Sequence, residues 1–150
     1  MFWLIIAAAV VLDIVSKQLV ISGMELDQTL NVIPGIFDLH YIRNYGAAFS
    51  IMQNKRVFLI AVTVIMMAAL CIYAVKMGNK ISKAERIALA MIVGGGIGNL
   101  IDRIFLGYVT DFLCIYIIPI FNVADCFVTV GCALLIIAVL TEKKEENERS

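Results

Sequence analysis

The chain has 150 residues, of which 62% are hydrophobic, and its twelve basic and twelve acidic side chains leave a formal net charge of +0. With a mean hydropathy of +0.96, it reads as a membrane protein with room for a single compact domain. The balanced charge provides no basic field for nucleic acid. The four cysteines, Cys71, Cys114, Cys126 and Cys132, have neither metal-like nor disulfide-like spacing.

The N-terminus is apolar from the start, with no basic leader and no small-residue cleavage site before Asp13. A retained membrane helix is predicted over about 1–21. Within it, Asp13 and Lys17 stand at i and i+4, the spacing of a pair on one helical face. Residues 22–56 are mostly polar. Pro34-Gly35 signals a turn, and the stretch 36–42 (IFDLHYI) is rich in strand formers, so a small extracytoplasmic β-element is expected. His40, the one histidine, lies within it. Residues 57–75 carry no charge until Lys76 and form the second predicted span. A polar loop follows with Lys76, Lys80, Lys83 and Arg86, and a third helix is predicted over 87–103.

The glycine-rich third helix ends in Asn99, Asp102 and Arg103. On a helix, Gly95, Asn99, Asp102 and Arg103 share a face, and small residues there allow close approach of a neighbour. Residues 112–140 carry one charge, Asp125, and are too long for one straight span. Pro119 divides them into an irregular or extended piece up to Phe121 and a fourth helix over 122–140. The charged tail 141–150 is expected to be solvated and frayed. The architecture is therefore an all-α integral membrane protein, with four transmembrane helices and a small extracytoplasmic β-element in one domain.

Four spans put both termini and the 76–86 loop on one side, and the basic residues favour the cytoplasm for that side. Asp13, Lys17, Asn44, Asn99, Asp102, Arg103, Asp111, Asn122 and Asp125 then converge at one depth near the outer face. Any one of them has an ordinary structural role available, as an ion pair or a helix cap. So many costly polar groups at one level point instead to a functional site. Two carboxylates held close share a proton, which is the acid–base device of an aspartic protease. A histidine-based triad is disfavoured by the position of His40. No metal-binding signature is present, and the glycine run lacks the Lys-Ser/Thr ending of a phosphate loop. Neither a metal nor a cofactor is expected. Composition alone does not choose Asp111 over Asp102.

Several stretches together resemble the lipoprotein signal peptidases (signal peptidase II) of bacteria over nearly the whole chain. They are DIVSK at 13–17, RNYGAAFS at 43–50, GGGIGNLIDR at 94–103, GYVTDF at 107–112 and FNVAD at 121–125. The resemblance implies a membrane aspartic endopeptidase of the bacterial cytoplasmic membrane. It would cut prolipoproteins on the N-terminal side of a diacylglyceryl-modified cysteine. It further implies that Asp111 and Asp125 are the catalytic pair. Asp13, Lys17, Asn44, Gly46, Asn99, Asp102, Arg103 and Asn122 would support the site or bind substrate, with Asp102 positioning Arg103. Membrane lipid and globomycin-type peptide inhibitors are implied partners. Gly46, Ala47 and Ala48 would leave room for substrate, and Tyr45 and Phe49 would cover it.

Three departures stand out. Thr110 replaces the usual Val, Cys126 stands where small hydroxyl residues are common, and the connection from Asp111 to Asp125 is short. The competing class is a small proton- or ion-coupled transporter, which also uses membrane-buried acids near a lysine. The absence of an inverted repeat and the near-surface depth of the acids weigh against it.

Overall fold

A computed structural model describes residues 1–46 and 55–149. Four helices, α1 (Phe2–Gly23), α2 (Arg56–Met77), α3 (Lys83–Phe105) and α4 (Val123–Arg149), are joined by a sheet of three strands. These are β1 (Thr29–Ile33), β2 (Phe37–Asn44) and β3 (Val109–Ile115). Each of the four helices is long and apolar enough to cross a membrane.

The α3 helix is the hub, packing against α1, α2 and α4. Its glycines explain why. A Cβ on Gly94 would lie 2.7 Å from the Ala9 Cβ of α1, and one on Gly95 would strike the Ala124 carbonyl of α4. Without side chains at these positions the helices approach backbone to backbone, where dispersion contacts hold a bundle that lipid does not squeeze together. By contrast, α2 is almost entirely exposed. Its outward Val57, Ile65 and Val75 would be costly in water and suit hydrocarbon.

The α3 helix begins at Lys83, ahead of the predicted residue 87. The reason is a capping box: the Ser82 hydroxyl accepts from the Glu85 N–H at 3.1 Å, and the Glu85 carboxylate accepts from the Ser82 N–H at 2.9 Å. At its other end, Gly107 takes φ +84, and its N–H reaches the Asp102 carbonyl at 3.2 Å. That left-handed residue ends the helix and turns the chain into β3. Nor does α4 stop at residue 140. Its backbone stays helical to Arg149, so the expected frayed tail is an extension of the helix.

The sheet is antiparallel in the order β1-β2-β3. Pro34 and Gly35 (φ +75) form the tight turn of the β1–β2 hairpin, closed by an Ile36 N–H to Ile33 carbonyl bond of 3.0 Å. Sequence reading found β2 but missed β1, and it left β3 as an extended piece. The sheet sits over the end of α1, where Tyr41 and Phe112 pack with Val20 in a small core.

Candidate active site

Two residues on opposite sides of a turn face one cavity of about 950 Å³, Asp111 from β3 and Asp125 from the first turn of α4. Asn44, Asn99 and Arg103 line it too. Its apolar wall is built by residues 118–121, with Cys126 and residues 128–130 of α4. Cys126 and the short connection after Asp111 therefore both help to line the cavity.

Asn122 ties the two carboxylates together. Its amide nitrogen donates to Asp111 Oδ1 at 2.7 Å and to Asn99 Oδ1 at 3.0 Å. Its own Oδ1 accepts from the Asp125 N–H at 3.0 Å, while Asp125 Oδ2 accepts from the Asn122 N–H at 3.3 Å. This reciprocal cap starts α4 and fixes the Asp125 side chain. The other oxygen, Asp125 Oδ1, accepts from the Asn99 amide at 2.8 Å. Asp111 Oδ2 accepts from the Asn44 amide at 2.9 Å, and Asn44 is held by the Gly46 N–H at 2.9 Å. Asp111 is only 2% exposed. Burial pushes its pKa up to about 7, against the lowering effect of the Asn44 amide; the charge of Asp125 adds to the rise.

Beneath this pair lies a buried ionic cluster. Lys17 Nζ contacts Asp13 Oδ2 at 2.7 Å and Asp102 Oδ2 at 3.1 Å, and it donates to Asn99 Oδ1 at 3.1 Å. Asp13 Oδ1 accepts from the N–H of Ala124, the residue before Asp125, at 2.9 Å. Asp102 Oδ2 accepts from the N–H of Thr110, the residue before Asp111, also at 2.9 Å. One ammonium thus anchors the backbone next to both cavity carboxylates. Gly98 is what lets Asp13 fit, since a Cβ there would be 2.5 Å from Asp13 Oδ2.

One expectation needs correction. Asp102 does not position Arg103: it serves Lys17 and β3, while the Arg103 guanidinium donates to the Asn99 and Gly46 carbonyls at 3.3 and 3.0 Å. Helical spacing put both residues near one face, but adjacent residues diverge by about 100°. Tyr45 packs edge-on against Tyr108. Ala47, Ala48 and Phe49 lie outside the described residues. Sequence reading also missed Arg56, which caps the end of α3 through the Arg103 and Ile104 carbonyls at 2.7 and 2.8 Å. Its place just before a charge-free run was the available signal.

A family model described as signal peptidase (SPase) II matches residues 5–141. The chain belongs to the signal peptidase II family. A lipoprotein signal peptidase of Caldicellulosiruptor bescii is 42% identical, over 97% of this chain and 94% of that one. One from Streptococcus thermophilus is 44% identical, over 95% and 92%. A bacterial membrane enzyme solved by the in meso method superposes with a TM-score of 0.89 at 32% identity, covering 96% of this chain and 90% of that one. The family is one of membrane proteases, and nothing in the fold or the comparisons supports the transporter alternative.

Proposed function

We propose that this signal peptidase II uses Asp111 and Asp125 to remove the signal peptide of prolipoproteins, cutting before a diacylglyceryl-modified cysteine. The observation that carries the reading is the pair of carboxylates on one cavity, bridged through Asn122 and Asn99. One carboxylate takes a proton from water as the water oxygen attacks the scissile carbonyl. The other, protonated, donates a hydrogen bond to that carbonyl oxygen. Collapse of the tetrahedral intermediate breaks the C–N bond, and the proton passes to the leaving amine. The raised pKa of Asp111 suits the proton-holding role near neutral pH.

The termini face the cytoplasm, and the cavity opens toward the outer face. There the acyl chains of the substrate stay in lipid while its peptide meets water. Globomycin-type peptides occupy the same cavity and compete with substrate. The test is cleavage of a lipidated prolipoprotein, against its unlipidated form, by the purified protein in detergent with no ion gradient. Only the lipidated form should be cut. Asp111→Asn and Asp125→Asn should each fold and bind but not cleave, falling at least about a hundredfold. Normal cleavage by Asp111→Asn with a dead Asp102→Asn would move the pair to Asp102 and Asp125.

A further inference from the structure

The three-stranded sheet has two chemically different faces. Along β2, Phe37, Leu39 and Tyr41 alternate with Asp38 and His40. Leu39 is paired with Leu30 on β1 and Leu113 on β3, and Phe37 is paired with Ile33 and Ile115. Residues directly opposite one another share a face, so both rows lie on one side of the sheet. The inner row is anchored, because Leu39, Leu113 and Tyr41 pack with Val20, Ile21 and Met24 at the end of α1. This face therefore looks toward the ends of the spanning helices.

Beyond that anchorage, exposed isoleucines stand at the rim of the sheet. Ile33 is 48% exposed, Ile36 at the hairpin turn 62%, and Ile117 in the turn after β3 90%. The other face is polar. There Asp38 is held by the Asn31 amide at 3.0 Å and by the Tyr116 hydroxyl. Asp38 is the only charged residue from 28 to 42, and none occurs from 112 to 122. The exposed isoleucines thus stand in stretches almost free of charge, and α4, long and apolar enough to cross a membrane, begins right after the second of them. Such a surface fits the boundary between headgroups and acyl chains. A polar protein partner would find no charge on it to pair with.

We propose that Ile33, Ile36 and Ile117 insert into the lipid leaflet beneath the sheet. The sheet is then seated on the membrane, and that seating sets the height of β3, and hence of Asp111, relative to the lipid. The contact does not depend on the catalytic assignment.

The chain has one tryptophan, Trp3, near the end of α1 remote from the sheet, so Trp3→Phe clears the background. Ile117→Trp and, as an independent reporter, Ile36→Trp are then placed in that protein and reconstituted into phosphatidylcholine–phosphatidylglycerol vesicles. Thr29→Trp reports on the polar face. Both isoleucine-site reporters should emit at shorter wavelength than the Thr29 reporter. They should also lose intensity when the lipids carry bromine on the acyl chains close to the headgroup, while the Thr29 reporter should not. Water-like, unquenched emission from both isoleucine sites overturns the proposal, as does equal quenching at Thr29. Unquenched emission that follows the protein-to-lipid ratio overturns it in favour of contact with a second copy.

Discussion

Asp111 is a carboxylate largely withdrawn from solvent at the edge of the cavity, and two amides fix its orientation. Its pKa is raised from 3.8 to about 7. Between those values the folded protein holds a proton that the unfolded chain has released. Stability conferred by this group therefore falls as pH rises through that window. Asp111→Asn removes the titration. In thermal melts from pH 4 to pH 8, the wild type should lose stability relative to Asp111→Asn, most of it by about pH 7. Parallel melting curves across that range would contradict the assigned environment of Asp111. Activity should be bell-shaped in pH, because the two carboxylates must hold one proton between them. Next to Asp111, Thr110 is fully buried and its hydroxyl has no partner among the described residues. Thr110→Val keeps the shape and removes the unpaired group. It should raise the melting temperature by the equivalent of about 1 kcal/mol and leave cleavage intact; a destabilised variant would show that the hydroxyl is bonded.

Between elements, the Lys17 cluster is the joint. It links α1 to α3 directly, to α4 through the Ala124 N–H and to β3 through the Thr110 N–H. Removing the ammonium leaves two buried carboxylates facing one another. Lys17→Met should cost about 3–5 kcal/mol of stability and depress cleavage as well. Asp13→Ala should act in the same direction, and full stability with full activity in that variant would show that the joint is dispensable. Gly98→Ala tests the joint from the α3 side. Its new Cβ would press on Asp13 Oδ2, so it should destabilise by about 1–3 kcal/mol. Unchanged melting would mean that α1 can move away freely.

At the scale of the molecule, the prediction concerns which side is which. Glu25 lies after α1 and before the sheet, and Asn79 lies between α2 and α3; both are exposed. With the four native cysteines replaced, an impermeant thiol reagent applied to intact cells should label Glu25→Cys and miss Asn79→Cys. The reverse pattern would invert the proposed orientation. Both positions lie beyond the spanning segments, so labelling reports topology rather than local burial.

Composition and local spacing determined the four spans, because an apolar run long enough to cross a bilayer is a one-dimensional property. The polar groups at Asp13, Asn99, Asp102 and Asp125 were legible as well, since they are conspicuous against apolar helices, whereas the choice of Asp111 over Asp102 came only from the family resemblance. The start of α3 was written in Ser82 and Glu85 but read too late, at residue 87. What only the tertiary structure decided is who meets whom. Asp102 and Arg103 are neighbours in sequence but part company, and Asp102 finds Lys17 instead. The 14 positions between Asp111 and Asp125 (125 − 111) say nothing of a shared cavity. That sharing depends on β3 pairing with β2 and on Asn122 folding back to cap α4. The register of β1 and β3 was likewise hidden, because strand pairing is a choice of partner and not a property of either segment.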